Sequence, residues 1–104
     1  MDSLLRLLMG PWTTYILWVL RSEGETRFGA LKRKVPGISA KVLTDRLRKL
    51  EDAGLITRHH APTIPPTVSY RLGKRGEELR DVLDELNAIS VRWGEEDSAK
   101  PAAE

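Results

Sequence analysis

Residues 36–58 read PGISAKVLTDRLRKLEDAGLITR, and this stretch decides the fold. Pro36-Gly37 ends the segment before it, because proline cannot continue a helix and glycine takes positive φ without steric cost. Ser39 suits a helix N-cap, since its hydroxyl can accept an orphan backbone N–H. Leu43, Leu47 and Leu50 then form an inward stripe at helical spacing. The spacing predicts a helix to about Ala53, stopped by Gly54. Leu55 to His60 reads as a strand.

Downstream, Ala61 to Pro66 is a proline-rich turn. Val68, Tyr70 and Leu72 alternate with Thr67, Ser69 and Arg71, as in a half-buried returning strand. Gly73 to Gly76 leads into a long helix to about Trp93. From Glu95 onward the chain is polar, and a disordered tail is expected. Upstream, Gly29 to Val35 reads as a two-turn helix with Leu31 and Val35 inward, preceded by a short extended piece, Thr26 to Phe28. Trp12 to Arg21 reads as a helix burying Trp12, Tyr15, Ile16, Val19 and Leu20. Ser3 to Met9 reads as a short apolar helix closed by Gly10-Pro11.

A short helix, a turn at Pro36-Gly37 and a longer capped helix make a helix-turn-helix, and the hairpin that follows is a wing. The fold class is therefore α+β, mainly α: a winged helix-turn-helix with a two-stranded β-hairpin wing and terminal dimerisation helices. One domain over residues 1–94 and a tail over 95–104 are expected.

With Leu43 at zero on a helical wheel, Leu47 and Leu50 lie within roughly 40° of it. Lys41, Asp45 and Arg48 fall on the opposite side, with Thr44 and Lys49 flanking. Such a face can fit a major groove and reach base edges. Arg48 suits bidentate contact with guanine, Lys41 a guanine or a phosphate, and Thr44 a thymine methyl or a base acceptor. Asp45 can accept from cytosine or hold Lys41 or Arg48 by helical pairing. An ordinary solvated helix face has the same pattern.

The charge distribution adds to this. The 104 residues carry a net charge of +2, but residues 21–76 hold 13 Lys/Arg against 5 Asp/Glu. Residues 77–104 hold 3 against 9. A basic middle beside an acidic end suggests a polyanion-binding face, with any dimer contact elsewhere. Arg27, Lys32, Arg33 and Lys34 border the first helix of the pair. Arg58, His59, His60 and Arg71 lie on the hairpin, followed by Lys74-Arg75. These groups suit phosphates.

Other classes find little support. There is no cysteine, so disulfides and thiolate chemistry are excluded for this sequence. Adjacent His59 and His60 on a strand point to opposite faces and chelate poorly. Gly73-Lys74-Arg75-Gly76 lacks the flanking pattern of a phosphate loop. No catalytic motif, cofactor or metal site is expected, and the chain is read as a non-enzyme. The longest nearly uncharged apolar run, near Tyr15 to Leu20, is too short for a bilayer. Met1 to Met9 carries Asp2 and Arg6 without a cleavage pattern, so no signal peptide and a cytoplasmic location are expected.

The chain resembles the HxlR-type family of bacterial and archaeal winged helix-turn-helix transcriptional regulators. The resemblance rests on Pro11-Trp12-Thr13 through Leu20, Arg27 to Leu31, Pro36 to Arg58, and Pro65-Pro66-Thr67-Val68-Ser69-Tyr70-Arg71-Leu72. Together these stretches span about Gly10 to Leu86. It implies a homodimer on operator DNA, with the helix from Ser39 in the major groove and dimerisation through the first and last helices. Two departures stand out. Many relatives carry an oxidant- or electrophile-sensing cysteine near the start, and this chain has none. Relatives usually have Thr or Ser at the position of Gly73, which is a weaker cap.

The candidate DNA-contacting set is Arg27, Lys32, Ser39, Lys41, Val42, Thr44, Asp45, Arg48, Lys49, Arg58 and Arg71. The candidate dimer set is Leu4, Leu5 and Leu8 from the first helix with Leu79, Val82, Leu83, Leu86, Ile89 and Trp93 from the last. The latter form an apolar stripe too long for so small a body to cover. Double-stranded DNA and a second copy of the chain are thus the expected partners, with no membrane. Two other readings stay open: a winged-helix module that binds protein, and a sensor whose effector lies among Trp12, Tyr15, Trp18 and Trp93. Aromatics at helical spacing are more often core.

Overall fold

The computed structural model describes residues 2–99. Its elements are α1 (Asp2–Leu8), α2 (Thr13–Glu23), β1 (Thr26–Arg27), α3 (Phe28–Lys34), α4 (Ala40–Asp52), β2 (Ile56–Ala61), β3 (Thr67–Leu72), α5 (Lys74–Glu77) and α6 (Arg80–Ala99). This is the expected winged helix-turn-helix: α3 and α4 flank the Pro36-Gly37 turn, and β2–β3 form the wing.

Local chemistry explains α4. The Ser39 hydroxyl accepts from the Val42 backbone N–H at 3.1 Å, satisfying one orphan donor. At the far end Gly54 takes φ +81°, a conformation that favours glycine. Leu43, Leu47 and Leu50 are buried and meet Ile16, Leu17 and Leu20 of α2, Leu31 of α3, and Ile56, Tyr70 and Leu72 of the sheet. Truncating any one of these leucines to alanine removes about 2–5 kcal/mol.

The sheet has three strands, in the order β1-β3-β2: the expected two-stranded wing, with the short extended segment before α3 added at its edge. Thr26 pairs with Tyr70 and Arg27 with Ser69, so the short extended segment completes an edge. Phe28, read as extended, instead opens α3.

The α2 stripe differs from expectation in part. Ile16, Val19 and Leu20 are buried as expected, joined by Leu17 and Thr13, while Tyr15 is 45 % exposed. Trp12 lies before the helix at φ 65°. Its indole Nε1 donates to the Pro36 carbonyl at 3.0 Å, so it braces the turn of the helix-turn-helix instead of filling the core.

The segment read as leading into the long last helix is itself a helical turn, α5, and the chain turns at Glu78-Leu79 before α6. Gly76 allows a close seating of α5: a Cβ there would lie 2.1 Å from the Leu55 carbonyl oxygen. The backbone of α5 is thus pressed onto the start of the wing. Helix α6 then runs past Trp93 to Ala99, so residues 95–99, read as tail, are helical. Residues 100–104 lie outside the described region.

Candidate nucleic-acid interface

Helix α4 presents Lys41, Thr44, Asp45, Arg48 and Lys49 as exposed residues. Lys41 and Arg48 form no ion pair with any described residue. Asp45 is differently placed from its expected partners: it holds Lys49 at 3.2 Å, an i,i+4 pair, and Arg46 at 2.5 Å. The Lys49 hydrogen bond first, then the charges of Lys49 and Arg46, hold the Asp45 carboxyl below the usual aspartate range. Thr44 already donates its hydroxyl to the Ala40 carbonyl at 2.8 Å. It therefore offers its methyl and an acceptor, not a donor.

Val42 and Ser39 have structural duties as well. Val42 is half-buried and packs on the core, and Ser39 is the exposed cap. Arg46 was not among the sequence candidates. It sits roughly 60° from Leu43 on the wheel, at the margin of the core stripe, and that position is the signal that marks it. Its Nε donates to the Pro11 carbonyl at 3.1 Å, tying α4 to the α1–α2 turn.

The wing separates two arginines that the sequence treats alike. In β2–β3 register Arg58 pairs with Tyr70 and Thr57 with Arg71. Paired residues share a face and neighbours alternate, so Arg58 and Arg71 lie on opposite faces. Arg58, Arg27 and Thr44 line one groove of about 460 Å³ with Phe28, Val68 and Tyr70. The structure thus brings together the recognition helix, the wing and the β1–α3 junction around one concavity. Arg71 instead faces Glu25 at 3.8 Å. Glu25 also accepts from the Ser69 hydroxyl, and this bond, then the charges of His59 and Arg71, lowers its pKa. Lys32 stands exposed in the last turn of α3, apart from that groove.

His59 Nε2 lies 2.8 Å from the Thr57 hydroxyl, and the strand register sets His60 on the other face. Of the four aromatics considered for a sensor cavity, Tyr15 and Trp18 line a groove of about 290 Å³ with Leu83 and Leu86. Trp12 and Trp93 are not in its lining.

On the dimer candidates, Leu83 is 5 % exposed and belongs to the chain's own core. Body packing reaches one helical turn beyond Leu79 and takes Leu83 with it. Leu4, Leu8, Leu79 and Ile89 are half-buried. Leu5, Val82, Leu86 and Trp93 are exposed by 48, 51, 52 and 62 %, and Met9 and Val91, not singled out from sequence, are exposed too.

A capped second helix, a wing beside it and a basic groove between them define a winged helix-turn-helix protein of the regulator type. Comparison with known proteins assigns it further. A family profile described as HxlR-like helix-turn-helix matches residues 7–98. The chain belongs to this family of transcriptional regulators. It is 40% identical over 87 residues to MalR of Fusobacterium mortiferum, named a regulatory protein, covering 84% of this chain and 78% of that one. Among solved structures it is similar to the reduced form of the transcriptional regulator YodB from B. subtilis, at TM-score 0.75 and 35% identity, covering 85% of each chain. It is also similar to the redox regulator HypR in its reduced form, at TM-score 0.78 and 28% identity, covering 94% of this chain and 92% of that one.

Proposed function

We propose that the protein is a sequence-specific DNA-binding transcriptional regulator that acts on operator DNA as a homodimer. The carrying observation is the groove in which Arg27, Thr44 and Arg58 converge, beside Lys41 and Arg48 of α4, which pair with no acid among the described residues. Lys41 and Arg48 read base edges, while Arg27, Lys32 and Arg58 hold phosphates. Phosphate contacts position a duplex and base contacts specify its sequence.

The homodimer is supported by α6. Its 20 residues bury one, Leu83. Val82, Leu86, Val91 and Trp93 are left in water, and Leu5 and Met9 of the α1 end join them. Apolar surface of that extent on a small domain calls for a partner, and a two-fold axis closes it. An action in the cytoplasm agrees with this role. No helix among the described residues is long and apolar enough to cross a membrane.

Equilibrium binding to duplex DNA across a salt series tests the proposal. Several phosphate contacts make log K fall linearly with log salt, with a slope of about −0.9 per contact. Affinity that is flat with salt contradicts it and favours a protein-binding role.

A further inference from the structure

On the flank of α4 opposite Thr44 there is a second, smaller pocket. Its volume is about 140 Å³, and Arg6, Leu7, Gly10, Thr13, Arg46 and Lys49 line it. Three of the six are cations, and they come from α1 and α4.

The hydroxyl of Thr13 is the telling group. Thr13 is 1 % exposed, yet its Oγ1 has no hydrogen-bond partner. A buried polar atom without a partner is costly, and natural structures rarely leave one without a reason. Arg46 is also held in place beside it. Its side chain is 20 % exposed, Nε is bound to the Pro11 carbonyl and Nη1 to Asp45. No described residue accepts from its Nη2. Gly10 leaves the remaining space: a Cβ there would lie 2.9 Å from Thr13 Oγ1 and 3.6 Å from Arg46 Nε. Asp45 is an opposing charge here, and it pairs with both Arg46 and Lys49.

We propose that this pocket binds a small oxyanion of phosphate, sulfate or short-carboxylate size. Thr13 Oγ1 donates one hydrogen bond, Arg46 Nη2 donates others, and Lys49 and Arg6 supply charge at the rim. Charge-assisted bonds of this kind are the strong ones, and arginine with a hydroxyl is a common oxyanion pairing. The site joins α1 and the Gly10-Pro11 turn to the recognition helix. Its occupant is a free anion or a phosphate of bound DNA.

Inorganic phosphate titrated into the full chain at constant ionic strength, followed by calorimetry, is the test. Saturable one-site binding is expected, weakened about tenfold or more by Gly10→Ala and by Thr13→Val. Thr13→Val keeps the shape and removes the unpartnered hydroxyl, so it also raises the melting temperature in phosphate-free buffer and certifies that the variant folds. If the occupant is a DNA phosphate, free phosphate binds weakly, and the same two variants lower the salt slope of duplex binding by about one. Phosphate binding that survives both substitutions overturns the proposal. So does an absence of phosphate binding together with an unchanged salt slope. The first arm uses no DNA and stands or falls apart from the operator-binding role.

Discussion

The Cα of Gly76 sits directly against the Leu55 carbonyl, so close that a Cβ would lie 2.1 Å from that oxygen. The same carbonyl accepts from the Gly73 N–H at 2.8 Å. These two glycines seat α5 on the base of the wing. Gly76→Ala forces backbone apart and is expected to destabilise by about 1–3 kcal/mol, lowering the melting temperature by roughly 4–8 °C per kcal/mol. Gly94, in α6, has nothing within 4 Å of the same atom. Gly94→Ala is expected to stabilise by about 0.5–1 kcal/mol. Thermal unfolding of both variants checks the pair; equal effects would contradict this account of Gly76.

The two faces of the wing give a second expectation. Arg58→Ala removes a cation from the groove beside α4 and lowers affinity for every duplex, reducing the salt slope by about one. Arg71→Ala removes a group already engaged with Glu25 on the other face and has the smaller effect. Salt-dependent binding isotherms measure both. A larger loss for Arg71→Ala would mean that DNA meets the opposite face of the hairpin.

These two arginines also show where sequence reading stops. Pattern locates α4 to within a residue, because Ser39, the leucine stripe and Gly54 are local signals that tertiary contacts reinforce. Strand β3 is legible for the same reason, since its alternation is a local property. Period alone does not say what covers a face. Tyr15 and Leu17 are both apolar, and only the docking of α6 and the sheet decides that Leu17 is buried. The seating of α5 is hidden because it depends on a contact of Gly76 with Leu55, 21 positions earlier. The convergence of Arg27, Thr44 and Arg58 depends likewise on strand pairing, which the chain does not announce. The basic character of the site is readable, and its geometry is not.

Acid stability is expected to depend on Glu25 and Asp45. Both carboxyls have folded pKa values below their ordinary values of 4.5 and 3.8, Glu25 through the Ser69 hydroxyl first and Asp45 through Lys49 first. A depressed folded pKa contributes stability that is complete above the unfolded value and is lost as pH falls through the folded one. Their contribution is therefore present at neutral pH and disappears below about pH 4.5, the Glu25 part first. Urea unfolding from pH 6 to pH 3 should show a shallower acid limb for Glu25→Gln with Asp45→Asn than for the wild type. An identical limb would mean that neither pair contributes to folding. Both residues are exposed, so the effect is small and is reduced by salt.

The dimer is expected to depend on the outer half of α6. Leu86 and Trp93 are exposed by 52 and 62 %, so Leu86→Glu with Trp93→Glu removes apolar interface without opening the core. Sedimentation equilibrium should show a dimer for the wild type and a monomer of unchanged helicity for the double variant. A wild-type monomer, or a variant that dimerises as tightly, would refute the assignment.

Selection of bound sequences from a random duplex pool, with the wild type and with Arg48→Ala, bears most directly on the central claim. Arg48 is exposed, unpaired with any described residue, and set on the outer face of α4. A bidentate arginine–guanine contact carries about 1–3 kcal/mol of discrimination. Two recognition helices related by a two-fold axis meet successive major grooves about 34 Å apart. The account predicts that the wild type enriches a palindromic motif and that Arg48→Ala loses preference at one symmetric pair of positions while still binding. A pool with no enriched motif, or a motif unchanged by Arg48→Ala, would contradict it.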